Sequence, residues 1–264
     1  VCIAGNPNSG KSTIFNNLTG LHQKVGNYPG VTVEKKEGGR KYKNSNIHFV
    51  DLPGTYSLAA HSLEEIVAKD FIISSKPDII IDVVDASNLE RSLYLATQIK
   101  EIGIPLIIVL NMYDTVDKMG VEYDLRKMEQ LFGVKFIKSV GHKKIGNQEI
   151  LDAIIELSKD DKAKESLKII HYNDEIENEI FKIQKIICED VSLCEMFSPR
   201  WLTLKFLESD ESIKKEIEKK FSIMYEKILT QTKKSSSHLK SGFGEEPDLL
   251  IPEGRYAFIK GMLK

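Results

Sequence analysis

The stretch GNPNSGKST, residues 5–13, contains residue types that can hold phosphate groups. It follows the pattern GxxxxGK[ST] and lies between an apolar stretch and an amphipathic one. Successive backbone N–H groups and a helix N-terminus would attract a β-phosphate, and Lys11 would add a charge near the β and γ oxygens. The Ser12 hydroxyl could ligate Mg²⁺. The alternative is a chance glycine-rich turn, which the strand–loop–helix context disfavours.

A second motif, DLPG at residues 51–54, follows another apolar run. Asp51 can hold a water molecule bound to Mg²⁺, and the Gly54 N–H can meet a γ-phosphate. An aspartate here could also serve only as a helix cap or turn former. Its position after a phosphate loop favours the nucleotide interpretation.

The stretch NMYD, residues 111–114, indicates which base is bound. The Asp114 carboxylate can accept two hydrogen bonds from guanine N1–H and N2–H₂, and adenine has no matching donor pair. We expect Asn111 to tie this loop to the phosphate loop. In KSVG, residues 138–141, backbone N–H groups of 139–141 would reach guanine O6. Asparagine and aspartate are also common turn residues at strand ends. The prediction of guanine binding therefore depends on the order of all four motifs along the chain.

The segment 22–38 is long and contains Gly26, Pro29 and Gly30, which predicts a mobile element. Within it, Thr32 is the residue that we expect to close on Mg²⁺ and the γ-phosphate.

Thr55 follows the DLPG motif at the position where Ras-type enzymes have glutamine. Its short hydroxyl cannot reach an attacking water as glutamine does, so we expect slow intrinsic hydrolysis that depends on the phosphate loop, Mg²⁺ and backbone groups. Asn8 could hold a further cation near the β–γ bridge. His61 is expected to be a solvated residue at a helix start rather than a base.

Short β-branched runs alternate with amphipathic stretches over residues 1–160, which predicts an α/β fold with a mostly parallel sheet covered on both faces. The predicted strands are 1–4, 47–52, 78–86, 105–111 and 134–139, and the predicted helices are 11–19, 62–74, 89–102, 124–132 and 147–158. The polar stretch 39–44 could be an edge strand antiparallel to 46–51.

The sequence changes character after a charged connector at 160–166. Isoleucines recur at helical spacing over 176–187, and apolar residues do so over 213–228. Ser198 and the proline after it predict the start of a short helix. A flexible loop is expected over 233–242 and a last helix over 253–263. Residues 165–264 are therefore predicted to form a small all-helical domain.

Composition narrows the functional classes. The chain has 264 residues and a net charge of -2, so it has no broad basic field, which argues against nucleic acid as its main partner. Its three cysteines show no CxxC spacing, and we expect Cys188 and Cys194 to be core thiols rather than iron ligands. No run approaches the roughly 18 apolar residues of a membrane span. The apolar run at Val1 suggests a piece of a longer chain.

The ordered motifs resemble those of Ras-like GTPases of the translation-factor-related class over residues 1–158. Two positions depart from that pattern. Met112 stands where the base motif usually has lysine, and its thioether could still cover the base. Val140 replaces an alanine, which leaves a backbone contact intact.

The stretches VGNYPGVTVEKKEG, DLPGTYSL, LEEIVAKDFI and DVVDASNLERSLYL closely resemble the N-terminal region of the bacterial ferrous-iron transporter B family. The resemblance implies a GTPase domain over 1–160, a GDI-like helical domain over 165–264 that steadies GDP, and a membrane permease outside this sequence. It implies Fe²⁺ uptake at the cytoplasmic face of the bacterial inner membrane, with small accessory proteins as further partners. It also implies activation by K⁺, with Asn8, Gly26 and Tyr28 as ligands.

The full expected site combines these residues. The nucleotide-binding set is Gly5, Asn6, Pro7, Asn8, Ser9, Gly10, Lys11, Ser12, Thr13, Gly30, Val31, Thr32, Asp51, Leu52, Pro53, Gly54, Asn111, Met112, Asp114, Ser139, Val140 and Gly141. Within this set, Lys11, Asn8, Thr32 and Gly54 are the candidate catalytic residues. Ser12, Thr32 and, through water, Asp51 are the candidate Mg²⁺ ligands.

Two other functions remain open at this point. One is a stand-alone GTPase of the ribosome-assembly type, although the mixed-charge tail lacks an RNA-binding signature. The other is a nucleotide-gated binding module that scarcely hydrolyses GTP.

Overall fold

The computed structural model describes residues 1–20, 23–59, 62–160 and 169–264. A seven-stranded sheet has the order β2-β3-β4-β1-β5-β6-β7. Strands β1, β4, β5, β6 and β7 are parallel, whereas β3 runs antiparallel to β2 and β4. The strands are β1 Cys2–Gly5, β2 Gln23–Asn27, β3 Glu34–Tyr42, β4 Ser45–Asp51, β5 Ile80–Asp85, β6 Leu106–Asn111 and β7 Lys135–Lys138.

Six helices accompany the sheet in the described part of the chain: α1 Lys11–Thr19, α2 Leu63–Ser75, α3 Leu89–Ile102, α4 Tyr113–Met119, α5 Leu125–Phe132 and α6 Asn147–Ser158. All residues of β6 are buried. Successive strand residues point to opposite faces, so a strand buried along its whole length must be covered on both. A buried cluster joins Ile3, Val83 and Val109 of the sheet to Phe15 of α1 and Ile154 of α6. The predicted mostly parallel α/β fold is confirmed.

The hairpin of β2 and β3 corrects two predictions. Part of the segment predicted as a mobile loop, 22–38, pairs in a regular ladder from Gln23 opposite Gly38 to Asn27 opposite Glu34. The stretch 39–44 does pair with β4, but it is not an edge strand because β2 lies outside it. The residues of β2 are mainly polar and partly or fully exposed, so no apolar alternation marked the strand.

A second compact unit consists of Glu101–Gly103 together with Ile169–Gly261. Its helices are α7 Asp174–Ile187, α8 Val191–Met196, α9 Pro199–Leu207, α10 Glu211–Lys220, α11 Ser222–Phe243 and the greater part of α12, Pro247–Leu263. The isoleucine periodicity predicted for α7 is confirmed, because its four isoleucines at this spacing are buried. Most of the predicted connector, 160–166, lies outside the described residues.

Three details of the helical part differ from the predictions. The loop predicted over 233–242 is wrong, because α11 runs through it with Ser235 and Leu239 buried. The last helix begins at Pro247 rather than near 253. The prediction of core thiols also fails, since Cys188 is exposed and Cys194 is only half-buried. The loop prediction was based on the turn-forming tendency of serine, but the small side chain of Ser235 is buried in the helix packing.

No helix in the described ranges combines the length and apolar character needed to cross a bilayer.

Candidate functional site

The phosphate loop, Gly5–Ser12, connects β1 to α1. Asn8 and Gly10 have φ angles of 67° and 83°, in the left-handed region. A methyl group on Gly10 would lie 2.1 Å from Asn111 Nδ2, so only glycine fits. Inside the loop the Ser9 N–H donates to the Asn6 carbonyl at 3.2 Å. The loop therefore has a fixed, tight shape.

Two buried polar atoms of this loop, Asn6 Oδ1 and Ser9 Oγ, have no hydrogen-bond partner among the described residues. Buried polar atoms are normally paired, so such atoms at one loop indicate hydrogen-bonding capacity for a bound group. The first N–H groups of α1, which begins at Lys11, also lack intrahelical acceptors by geometry. Together these features can hold an anion.

Lys11 forms a buried ion pair with the Asp51 carboxylate. Asp51 ends β4, next to β1 in the sheet, which is why the two side chains meet. Burial raises the pKa of Asp51, and the Lys11 ammonium opposes that rise. The site therefore holds one positive and one acidic group side by side at low exposure.

The DLPG motif packs against the phosphate loop. The Leu52 N–H donates to the Ile3 carbonyl at 2.9 Å, and the Thr55 N–H donates to the Gly5 carbonyl at 3.2 Å. A methyl group on Gly54 would contact Pro7 Cα at 3.5 Å. Thr55 is only 4% exposed, and its short buried side chain leaves little reach toward a water molecule.

Asn111 joins three loops, as expected from its position. Its Nδ2 donates to the Ser9 carbonyl at 2.8 Å, and its Oδ1 accepts from the Gly141 N–H at 2.9 Å. Asn17 Nδ2 of α1 also donates to the Gly141 carbonyl at 2.8 Å. Sequence reasoning did not identify Asn17, because no motif spacing marks this polar residue in the last turn of α1.

The predicted backbone donors to guanine O6 already have protein acceptors. The Ser139 N–H donates to the Leu110 carbonyl at 2.8 Å, and the Val140 N–H donates to the Ile145 carbonyl at 3.2 Å. The third, on Gly141, donates to Asn111. For guanine O6 to accept from one of these three N–H groups, the present hydrogen bond of that group would have to be released or shared.

Asp114 lies in the first turn of α4 and is partly buried. Its Oδ2 is 3.8 Å from His142 Nε2 and 3.7 Å from Lys143 Nζ. Met112 Cε lies 3.9 Å from the position of a methyl on Gly10, so this side chain borders the phosphate loop. Sequence reasoning missed His142 and Lys143 as neighbours of Asp114, although they directly follow the KSVG motif in the sequence.

The segment expected to close on the γ-phosphate forms the turn between β2 and β3. Gly30 and Thr32 are exposed there, and Val31 donates its N–H to the Tyr28 carbonyl at 3.3 Å. Tyr28 is buried, and its hydroxyl donates to the Asp51 carbonyl at 2.8 Å, which connects this turn to the DLPG motif. Sequence reasoning missed that hydroxyl contact.

The residues proposed for K⁺ are not linked to one another by hydrogen bonds in the described ranges: Asn8 is exposed in the phosphate loop, and Gly26 lies opposite Lys35 in the β2–β3 ladder. His61 lies outside the described residues.

The chemistry of the site fits Mg²⁺. Ser12 and Asp51 offer oxygen donors, which this hard cation prefers. No cluster of three His, Cys, Asp or Glu side chains that could hold a metal occurs in the part of the chain that the structure describes. Mg²⁺ commonly keeps several water molecules and takes phosphate oxygens as further ligands, so oxygen donors such as those of Ser12 and Asp51 can hold it.

Comparison with known sequences places the chain in a family. Residues 1–154 match the family described as ferrous iron transport protein B, and residues 172–264 match the FeoB cytosolic helical domain. The chain is 42% identical over 212 residues to the Fe(2+) transporter FeoB of Escherichia coli, covering 79% of this chain and 26% of that protein. It is 35% identical over 270 residues to an Fe(2+) transport protein A/Fe(2+) transporter FeoB fusion protein of Porphyromonas gingivalis, covering 100% of this chain and 31% of that protein. The chain thus spans less than a third of either relative.

Solved structures agree with this assignment. A mutant of S. thermophilus NFeoB bound to GDP superposes with a TM-score of 0.87 at 33% identity, covering 99% of this chain and 98% of that one. The cytosolic domain of T. maritima FeoB in its GMPPNP form superposes with a TM-score of 0.82 at 29% identity, covering 99% and 96%. The chain therefore belongs to the ferrous iron transport protein B (FeoB) family.

Proposed function

We propose that this chain binds GTP together with Mg²⁺ and hydrolyses it to GDP and phosphate. The observation that carries the proposal is the meeting of four motifs at the carboxyl ends of parallel strands. Lys11 pairs with Asp51, and Asn111 ties the phosphate loop to the loop after β7. Ligands of open α/β sheets bind at this edge. The GDP-bound and GMPPNP-bound relatives support the same chemistry.

The phosphate loop, Gly5–Ser12, together with Thr13 would receive the β- and γ-phosphates on its N–H groups, and Lys11 would neutralise their charge. Mg²⁺ would add positive charge at the β- and γ-oxygens, held by Ser12, Thr32 and, through water, Asp51. The Gly54 N–H would position the γ-phosphate. Attack of water on the γ-phosphorus breaks its bond to the bridging oxygen and releases GDP.

Intrinsic hydrolysis is expected to be slow because Thr55 replaces the glutamine that orients water in Ras-type enzymes. K⁺ near the β–γ bridge would supply the missing charge. Asn8 would bind it through its side chain, and Gly26 and Tyr28 through their carbonyls.

Guanine would be selected at Asp114, which can accept from N1–H and N2–H₂. Asn111 positions this loop, and the Met112 thioether would cover one face of the base. Ser139, Val140 or Gly141 would donate to O6 once its present hydrogen bond is released.

For the longer protein, we propose that residues 1–160 form a GTPase domain and residues 165–264 a helical domain that steadies bound GDP. Both would regulate or drive Fe²⁺ uptake by a permease domain of the same protein, at the cytoplasmic face of the bacterial inner membrane. The transporter relatives, FeoB of Escherichia coli among them, support this proposal. The fused transport protein A of the Porphyromonas gingivalis relative supports a small accessory protein as partner.

GTP turnover of the Lys11→Ala variant tests the hydrolytic role. We expect turnover to fall at least about a hundredfold, since the phosphate charge loses its partner. Lys215→Ala, at an exposed position of α10, is the matched control and should behave as the wild type. Replacing K⁺ by Na⁺ should lower wild-type turnover. Near-zero turnover in both salts would indicate a binding module instead, and normal Fe²⁺ uptake by the full-length Lys11→Ala transporter would contradict the coupling.

A further inference from the structure

Two of the three cysteines lie on either side of the turn between α7 and α8. Cys188 directly follows the last residue of α7, and Cys194 lies in α8. The Cys188 side chain is close enough to Cys194 to influence the ionisation of its thiol. Cys194 Sγ also donates to the Ile187 carbonyl at 3.6 Å. The fold therefore brings together two thiols that are only six positions apart.

Buried neighbours hold this arrangement in place. Ile187 and Leu193 are fully buried beside the two cysteines. Asp190 caps α8 by accepting from the Leu193 N–H at 3.1 Å, which fixes where the helix begins. The Cys194 N–H donates to the Asp190 carbonyl at 3.1 Å. Each thiol therefore projects from an ordered backbone position rather than from a freely moving loop.

The two thiols differ in their exposure to solvent. Cys188 is exposed and Cys194 is half-buried. Burial and the neighbouring Cys188 raise the pKa of the Cys194 thiol to about 11, so near neutral pH Cys194 is a thiol rather than a thiolate. No third side chain completes a metal-binding cluster here within the described residues. An exposed thiol beside a shielded one is the arrangement of an attacking and a resolving cysteine.

We propose that Cys188 and Cys194 form a reversible thiol–disulfide site in the helical unit, whose reaction partners are low-molecular-weight disulfides and thiols. In the first step the Cys188 thiolate attacks a disulfide, the S–S bond of that molecule breaks, and one of its halves leaves as a thiolate that takes up a proton. In the second step Cys194 loses its proton and attacks Cys188 Sγ, and the other half leaves as a thiol. Two protein thiols are oxidised to one disulfide while one small disulfide is reduced to two thiols.

Oxidised glutathione added to the reduced 264-residue chain tests the site. Intact mass after alkylation should show the loss of two hydrogens and little glutathione adduct in the wild type. In the Cys194→Ser variant, the adduct should persist on Cys188 at a level at least about tenfold above the wild type, because the resolving thiol is missing. Cys2→Ser is the matched control, since Cys2 is 2% exposed in β1 and should not take part.

Dithiothreitol should restore both thiols, and a Cys194→Ala variant provides the same comparison should the serine disturb the half-buried position. Wild-type chain that accumulates the adduct as strongly as either Cys194 variant would overturn the proposal. Full alkylation of both cysteines after exposure to oxidised glutathione would overturn it as well.

Discussion

Asp82 is a buried acidic residue outside the nucleotide site. It lies in the middle of β5, opposite Ala4 and Ile108 of the neighbouring strands. It is 0% exposed, and neither carboxylate oxygen has a partner among the described residues. Burial raises the pKa of Asp82 from 3.8 to about 8. The folded state therefore favours the protonated, uncharged form of Asp82.

This shift predicts how stability depends on pH. Between pH values near 3.8 and about 8, the folded chain retains a proton on Asp82 that the unfolded chain releases. The stabilisation is complete at the lower end of this window and is lost as pH rises through it, by up to about 1.4 kcal/mol per pH unit. Urea unfolding of Asp82→Asn should lack this loss, whereas Asp78→Asn, at an exposed position, should keep it. Parallel pH profiles for wild type and Asp82→Asn would refute the assignment.

Lys143 lies 3.7 Å from the carboxylate that is expected to read guanine, so its ammonium competes with the base for Asp114. Removing it with Lys143→Ala should tighten GDP binding up to about fivefold at low salt, the range of an exposed ion pair. The gain should shrink at high salt. Titration calorimetry at two salt concentrations measures both effects. Lys127→Ala removes the same charge from an exposed position of α5 and should change little; equal effects of both variants would show a general charge effect instead.

Among the structural elements, the loops after β1, β6 and β7 depend on Asn111 for their mutual position. Asn111→Ala removes two buried hydrogen bonds and leaves the Ser9 carbonyl and Gly141 N–H unpaired, at a cost of about 1–3 kcal/mol in unfolding free energy. GDP affinity should fall at least about tenfold, because the phosphate loop and the loops after β6 and β7 lose the hydrogen bonds that join them. Thermal melting and calorimetry measure the two effects, with Asn46→Ala at an exposed position of β4 as control. Unchanged affinity would show that the loops hold their positions independently.

Strands and helices whose buried residues form an apolar pattern could be predicted from the sequence. Strands and helices without such a pattern could not. The sequence predicts a strand at 105–111, and the observed β6 begins one residue later, because a short continuous apolar run indicates a buried strand. In contrast, β2 is polar and gains its order from the hydrogen-bond ladder with β3. The serine-rich part of α11 is helical because buried packing around Ser235 outweighs the turn preference of serine.

The residues of the candidate site also fall into two groups, those that sequence motifs identify and those that only the folded structure brings together. Lys11, Asp51 and Asn111 were found because their motifs place them at strand ends, and the structure brings them together. Asn17 and Lys143 contact the same loops through pairings that only the folded chain creates. Spacing along the chain carries no information on such contacts.

Across the whole molecule, each of the two compact units is stabilised internally in its own way. The sheet unit has an apolar cluster between strands and helices. The helical unit contains a buried ion network in which Arg255 bonds to Glu101 at 2.8 Å and also pairs with Glu208. Buried charges of this kind are costly unless every partner is present, so they favour one arrangement of the helices. Glu101 and Arg255 are 154 positions apart, beyond the reach of sequence periodicity.

Guanine recognition by Asp114, at the sheet edge where the loops after β1, β6 and β7 converge, is the central proposal for this chain. Calorimetry with GDP and XDP, on the wild type and on Asp114→Asn, tests it directly, since xanthine offers a carbonyl where guanine has its amino group. We expect the variant to lose about a hundredfold in GDP affinity and to bind XDP better than GDP, because an amide can donate to that carbonyl. An Asp114→Asn chain that still prefers GDP as strongly as the wild type would contradict the account.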